Sequence, residues 1–395
     1  MCPTVLHHQP VRGLYALYAI TLEAIRMPIW MLLFLIPSLR PCPQWTHPQA
    51  VRHKILKAFV YHSAMLEILV PLSLSPGREG NRFVVMPPAE SSLYQGPMVD
   101  KCGTVRPEKI GGTWYPTPYP SPAASGGPVP TNKEAKIDSD HGFVVLHFHG
   151  GAFVLGDGRE RDCGPLARGM LRCAGPSGVR YIFCPQYRLA GPPSNVRFPG
   201  ALQDAVTSYA HLLRTMRIPA SRIVVSGDSA GGNIVFALLR YISEYGAATG
   251  LPPPAAAWCW SPWINPSVAI DKKQIARSPN YGTDYLSKDF GAWGARVYVS
   301  PHVPLDNPYV SGGPHPFYTA TPVFVQTGGA EVLFHENVEW VESMQKVKGN
   351  RIVIEIVDYA PHDIPLIAHI AGFAEQYDEV ATKAGEFLRT HATKA

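Results

Sequence analysis

An α/β protein is predicted: a mostly parallel central sheet, helices on both faces, and an N-terminal helical cap. Three features of the 395-residue chain point to it. From residue 142 onward, short β-branched or aromatic runs alternate with longer segments of helical period, the pattern of strand–helix–strand crossovers. One such run, Ile223-Val224-Val225-Ser226, ends in Gly227-Asp228-Ser229-Ala230-Gly231 and passes directly into the apolar stretch Ile234–Leu239. An apolar fraction of 46 % is ample for one large core.

The elements follow in order. Residues 11–39 are apolar in two runs, Leu14–Ile20 and Ile29–Ile36, interrupted by Glu23 and Arg26. Pro28 and Pro37 bracket the second run, which makes it too short for a bilayer span of about 20 residues. Two readings stand: a helical cap over a functional site, or an interfacial or single-pass membrane segment. No small-x-small cleavage site follows Leu22, so a secretory signal is not expected. Residues 50–70 read as an amphipathic helix through Ile55, Leu56, Phe59, Val60, Met65, Leu66, Ile68 and Leu69.

Residues 87–140 are loop-rich in Pro, Gly and Ser, densest from Tyr115 to Thr131, with strands near Phe83–Met86 and Thr113–Tyr115. Strands are then expected at 143–148, 181–184, 223–226, 255–260, 322–326 and 352–357. Helices are expected at 159–174, 200–216, 230–246, 336–348 and 366–390. Residues 262–320, rich in Trp, Tyr, Pro and Gly, interrupt the alternation as a lid-side insertion. The organisation is thus a segment 1–80, cap or membrane-associated, followed by one large domain over 81–395.

Charged residues make up 16 % of the chain, and the net charge of +5 is spread without a Lys/Arg run, which argues against nucleic acid. The seven cysteines form no CxxC pair, and the lone Asn-x-Ser/Thr match, Asn265-Pro266-Ser267, is disqualified by its proline. Both lean towards a reducing, intracellular location, cytoplasmic or on an internal membrane. His7-His8 and His47…His53 lack partners at metal-ligand spacing, and no phosphate or dinucleotide loop is present; no metal or cofactor is expected.

The chemistry-bearing motif is Gly-x-Ser-x-Gly between strand and helix. Such an elbow holds the serine backbone in a strained turn, so only small residues fit at Gly227 and Gly231, and it lifts Ser229 Oγ above the sheet edge. It leaves the Ala230 N–H at a helix N-terminus, facing a developing oxyanion. Upstream, His149-Gly150-Gly151-Ala152 follows the first strong strand. Gly150 and Gly151 offer N–H groups for close approach to a substrate oxygen, and His149 braces the loop. Asp228 reads as a structural carboxylate tied to loop N–H groups, or as a direct electrostatic contributor.

A serine nucleophile needs a base, and the base needs a carboxylate. In this order of elements the acid follows a later strand and the histidine comes last. Glu331, in Thr327-Gly328-Gly329-Ala330-Glu331, fits the acid; its alternative is a helix-N-terminal carboxylate. His362 follows the last strand; His369 is the second choice. Asp358 and Asp363 are placed too late in the chain to serve as the acid.

His149–Ala152, Gly227–Asn233, and Tyr187-Arg188-Leu189-Ala190 with Phe198-Pro199-Gly200-Ala201 and Asp204 together resemble the hormone-sensitive-lipase-like family of α/β-hydrolases. The resemblance covers roughly 140–390, and the N-terminal half is similar to fungal members. It implies an α/β-hydrolase fold, the triad Ser229, Glu331 and His362, and oxyanion donors at Gly150, Gly151 and Ala230. Where the family usually has a third glycine this chain has Ala152, and Gly191-Pro192 replaces the usual Pro-Glu; both bear on substrate shape. The expected activity is a serine carboxylesterase acting on a small hydrophobic ester with a short acyl chain, such as an acetylated sterol, terpenoid or polyketide. Two alternatives accompany it. An acyltransferase, cyclase or product-releasing enzyme would use the same site. A small-molecule receptor on this fold would lack the histidine that this chain has at 362.

Overall fold

The computed structural model describes residues 6, 8–100, 103–120 and 142–392. Residues 121–131 of the Pro/Gly/Ser-rich stretch and His7 lie outside them. Among the described residues, eight strands form one sheet: β1 (Phe83–Met86), β2 (Ile110–Tyr115), β3 (Phe143–Phe148), β4 (Val179–Gln186), β5 (Ile223–Asp228), β6 (Ala256–Trp260), β7 (Val323–Gly328) and β8 (Ile352–Val357). Their order is β1-β2-β4-β3-β5-β6-β7-β8. β2 runs antiparallel to both β1 and β4; every pairing from β4 to β8 is parallel. The strands β5, β6 and β7 are buried at every position. Burial on both alternating faces requires cover on both, which is why these runs open with successive apolar residues and turn polar, at Ser226, Asp228, Gln326 and Thr327, only towards the carboxyl ends of β5 and β7.

The helices are α1 (Val11–Leu33), α2 (His47–Leu66), α3 (Glu160–Ala174), α4 (Gly200–Ala210), α5 (Ala230–Thr249), α6 (Lys272–Arg277), α7 (Lys288–Tyr298), α8 (Phe334–Gln345), α9 (Ile364–Ala371) and α10 (Ala374–His391). α3 packs with α10, and α4 with α5. α2 begins at a capping box. Thr46 Oγ1 accepts from the Gln49 N–H while the Gln49 side chain accepts from the Thr46 N–H, so two N–H groups of the first turn find partners.

Three expectations are corrected. The closing helix over 366–390 is two helices, because Gly372 adopts φ +87° and caps α9. The helix over 200–216 is α4 followed by a single π turn at His211–Thr215. Pro28 does not bound the second apolar run. It sits inside α1, which continues through it for 23 residues and is long and apolar enough to cross a membrane. A mid-helix proline removes one backbone bond. Here Trp30 is half-buried and the Phe34 N–H bonds back to Trp30 O beyond it, so the helix is held on both sides.

The interrupting segment 262–320 carries α6, α7 and a 3₁₀ turn at Pro266–Ile270. α7 packs against α2. The amphipathic helix and the aromatic insertion therefore close over the same edge of the sheet.

Candidate active site

β5 ends at the carboxyl edge of the sheet and turns sharply into α5. At the turn Ser229 has φ +50° and ψ −114°, a conformation strained for any residue but glycine. A Cβ on Gly227 would lie 2.3 Å from Gly231 O, and one on Gly231 only 1.8 Å from Phe148 O. The two glycines are required by contact, as the motif predicts. The turn is fixed by the Ser229 N–H donating to Trp260 O at 2.8 Å and by Ser229 O accepting from the Trp263 N–H at 2.9 Å.

Ser229 opens into a cleft of about 320 Å³ that also contains His149, Gly150, Gly151 and His362. Its far wall is apolar: Leu56, Phe59 and Val60 of α2, Ile68 and Val70 just after it, and Leu155. α1 does not line this cleft. Of the N-terminal residues expected over the site, α2 and the segment following it take that place.

His362 is buried on the loop between β8 and α9, and its Nδ1 faces Glu331 Oε2 at 3.6 Å. That is an ion-pair distance, longer than a hydrogen bond. Neither ring nitrogen has a hydrogen-bond partner among the described residues. Such contacts commonly tighten only when substrate binds. Glu331 is itself locked: Oε1 accepts from Thr327 Oγ1 at 2.7 Å and Asn337 Nδ2 at 3.0 Å, and Oε2 accepts from Ser261 Oγ at 2.6 Å. Burial acts to strip His362 of its proton, but Glu331, then Asp284 and Asp228, outweigh it, so its pKa lies above the ordinary histidine value. His369, the second choice, is exposed at the cleft rim.

Asp228 lies beneath the elbow, fully enclosed. Its Oδ2 accepts the Gly150 N–H at 2.8 Å, and its Oδ1 lies 3.0 Å from His147 Nε2. The tautomer of His147 follows from its neighbours. Trp260 Nε1 donates to Ser226 Oγ at 2.9 Å, leaving that hydroxyl to donate to His147 Nδ1 at 3.0 Å and Nε2 to carry the proton towards Asp228. Burial raises the pKa of Asp363 well above the carboxylate range, with the neighbouring Asp228 charge adding to it. Burial also opposes ionisation of Asp228, but hydrogen bonds from His147 and Asp363 prevail and lower its pKa. Of this pair Asp228 is the stronger acid and Asp363 the weaker.

The Gly150 N–H is therefore occupied by Asp228, which corrects its expected part as an open oxyanion donor. Gly151, at φ +102°, lines the cleft, and the Ala230 N–H opens the first turn of α5, where helix N–H groups lack intrahelical partners. His149 packs its ring on Tyr187 at 4.3 Å and places Nδ1 2.8 Å from Gly150 O. Burial keeps it neutral. Tyr187 donates to His149 O at 2.8 Å, and the Ala190 N–H donates to Phe153 O at 2.7 Å. The next residue, Arg188, is fixed by Asp204 at 2.7 Å. The Tyr-Arg-Leu-Ala segment thus braces the glycine loop from behind.

Sequence reasoning missed Ser261, His147 and Asp284. Ser261 Oγ donates to Glu331 and accepts the Asp363 N–H at 3.0 Å, joining the acid to the residue after His362. Asp284 accepts the Val332 N–H at 2.7 Å and adds to the negative field at His362. Only the Trp/Tyr-rich character of the insertion pointed its way. Among the described residues no His, Cys, Asp and Glu group is arranged to hold a metal.

A mostly parallel sheet with a serine at the elbow of a central strand and a histidine past the last strand defines the α/β-hydrolase class. Residues 145–366, more than half of the chain, match the profile of the alpha/beta hydrolase fold family, and the chain belongs to that family. An acetyl-hydrolase of Streptomyces hygroscopicus is 29 % identical over 217 residues, covering 54 % of this chain and 65 % of that protein. Versiconal hemiacetal acetate esterase of Emericella nidulans is 28 % identical over 210 residues, covering 52 % of this chain and 69 % of its own. An esterase of the bacterial hormone-sensitive lipase family shares the fold with a TM-score of 0.58 at 21 % identity, over 88 % of this chain and 99 % of that one. The α/β-hydrolase family that the resemblance implies is thereby borne out. The chain spans just under two thirds of the acetyl-hydrolase.

Proposed function

We propose that the chain is an intracellular serine carboxylesterase that hydrolyses short-chain, above all acetate, esters of small hydrophobic alcohols. The observation that carries this is the strained Ser229 elbow opening into the same cleft as His362, with Glu331 behind it. His362 takes the Ser229 proton as Oγ attacks the ester carbonyl. Glu331 stabilises the imidazolium so formed, and the Gly151 and Ala230 N–H groups receive the oxyanion. His362 then protonates the departing alcohol. Water, activated by the same histidine, releases the acid from Ser229. An oxyanion donor of this kind contributes about 3–4 kcal/mol.

The apolar α2 wall supports a hydrophobic alcohol moiety. The acetyl-hydrolase and acetate esterase relatives support a short acyl group. A panel of p-nitrophenyl esters from acetate to palmitate tests the reading, with and without a serine-reactive phosphonate. The expected result is fastest turnover at the short end and a single phosphonyl adduct on Ser229. No turnover of any ester, or an adduct elsewhere, overturns it.

A further inference from the structure

We propose that the α1–α2 hairpin docks on an anionic lipid bilayer and that the apolar groove beside its seam passes a bilayer-dissolved ester to the Ser229 cleft. The inference deepens the esterase reading and rests on it for the chemistry of the substrate.

The helical repeat of about 100° per residue puts Arg12, Glu23 and Arg26 within roughly 60° of one another. That arc faces α2, where Glu23 Oε1 meets His62 Nε2 at 3.1 Å and Arg26 Nη1 at 3.0 Å. The opposite arc carries Leu14, Leu17, Tyr18, Ile25 and Leu32, each more than half exposed, and no charge. A face turned to water over this length would carry charged side chains; this one matches the immersed face of an interfacial helix. Leu35 and Ile36, beyond its end, and Phe59 of α2 extend the same apolar surface.

Although α1 is long enough to span, it is tied along its length. Tyr15 Oη lies 2.9 Å from His62 Nδ1, Glu23 meets His62, and Met31 O lies 2.8 Å from His47 Nε2. Crossing the bilayer would break all three, so α1 lies in the plane of the interface.

Charge favours anionic lipid. Residues 11–66 contain Arg12, Arg26, Arg40, Arg52, Lys54 and Lys57 against the single acid Glu23. Arg26, Lys54 and Lys57 line one pocket of about 360 Å³ on one flank of the seam, with Glu23 as its one carboxylate. Lys57 Nζ donates to Tyr281 O and Asp284 O. The Lys54 ammonium has no hydrogen-bond or ion-pair partner among the described residues, and burial lowers its pKa. A lipid phosphate supplies the missing counter-charge.

On the other flank lies an apolar groove of about 480 Å³, lined among others by Ala16, Ile20, Met27, Leu66, Phe59 and Ile68. Phe59 and Ile68 also line the Ser229 cleft. The groove opens beside the lipid-facing arc of α1 and meets the cleft at these two shared side chains, which gives an ester a route that avoids water.

The test uses the full-length protein, flotation with vesicles of phosphatidylcholine alone or mixed with phosphatidylserine, and two substrates: soluble p-nitrophenyl acetate and a hydrophobic ester carried in the vesicles. The parent protein should float with the mixed vesicles, less so at high salt. Leu17→Glu with Ile25→Glu, both on the exposed arc, should leave the protein free in solution and lower turnover of the vesicle-borne ester about tenfold or more, with acetate turnover within about twofold. Lys54→Gln should reduce the preference for phosphatidylserine. Ala16→Phe should still float but turn over the vesicle-borne ester more slowly. A parent that floats with neither vesicle, or a double variant that floats like the parent, overturns the docking surface. An Ala16→Phe variant with parental vesicle turnover overturns the groove. Failure of the parent on soluble acetate is a failure of the esterase reading, seen independently of flotation.

Discussion

Glu331→Gln separates the charge of this side chain from its shape. The glutamine carbonyl still accepts from Thr327 and Asn337. Its amide faces Ser261 Oγ, which must then accept instead of donate, so one buried hydroxyl proton loses its acceptor and the fold is weakened by about 1–3 kcal/mol. What is lost is one negative charge 3.6 Å from His362 Nδ1. At an effective dielectric of about 20, opposite unit charges at that separation attract by about 4–5 kcal/mol. The attraction is fully developed only when His362 becomes a cation in the transition state. With 1.36 kcal/mol per decade, kcat/KM should fall on the order of 10³-fold.

The pH profile gives a second readout. Only neutral His362 accepts the serine proton, so its raised pKa places the acid limb of kcat/KM above about pH 6.5, with activity rising as pH rises. Without Glu331, burial dominates, the pKa falls, and the limb moves to lower pH. The assay is kcat/KM for p-nitrophenyl acetate from acid to alkaline pH, with the melting temperature as a control for folding. A variant within tenfold of the parent with an unmoved limb refutes the reasoning. So does an equal loss in Asp358→Asn, because Asp358 is exposed and outside this network.

Ser229→Ala should lower turnover on the order of 10⁴-fold and abolish phosphonate labelling; activity within tenfold of the parent would exclude Ser229 as the nucleophile. Gly231→Ala puts a methyl 1.8 Å from Phe148 O, so the elbow must shift; a loss of about 3 kcal/mol or more in denaturant unfolding is expected, and unchanged stability contradicts the geometry. Ser261→Ala leaves the Asp363 N–H without its acceptor and frees Glu331 Oε2; a fall in kcat of about 10–100-fold with little change in KM is expected, and a change in KM alone would place Ser261 in substrate binding instead. Leu56→Ala removes apolar wall and should raise KM for bulky esters by about fivefold or more while sparing acetate, as read from steady-state kinetics on both.

The parts legible in the sequence are those dictated locally. A strand buried on both faces is apolar at successive positions, so β3 and β5 could be placed closely, and β8, although a partly exposed edge strand, was marked by its β-branched run. The elbow was legible because strand, Gly-x-Ser-x-Gly and helix follow one another directly in sequence, although only Gly227 is forced by a local contact, with Gly231 O, and Gly231 is forced by the distant Phe148 O. The N-terminus was not, because the fate of Pro28 depends on packing. A proline usually ends a helix, but α1 runs through it and bonds to α2 through His62 and His47, residues more than 15 positions away. Gly150 misled for a related reason. A glycine after a strand suggests a free N–H, yet Asp228 is 78 residues away in sequence and 2.8 Å away in space. Ser261, directly after β6, and Asp284, within the aromatic insertion, have no period or motif of their own to mark them.

The carboxylates around His362 show why proximity alone would not have identified the acid. Glu331, Asp284 and Asp228 all act on this one imidazole. Asp228 spends its oxygens on Gly150 and His147, so its charge holds the glycine loop and the elbow together. Asp284 takes the backbone N–H groups of Leu286 and Val332, which fixes the insertion against the loop that carries Glu331. Burial and the neighbouring Asp228 charge disfavour the ionised form of Asp363. Glu331 alone is steered towards Nδ1 by donors on its other side. Asp228 and Asp284 also set where the backbone runs, and Glu331 contributes most to the basicity of the histidine. The same loops that fix Asp228 and Asp284 therefore determine how far Glu331 must reach, and at 3.6 Å the longer glutamate side chain already stands slightly short of hydrogen-bond contact. A shorter acid at this position would stand further off unless the loop itself moved.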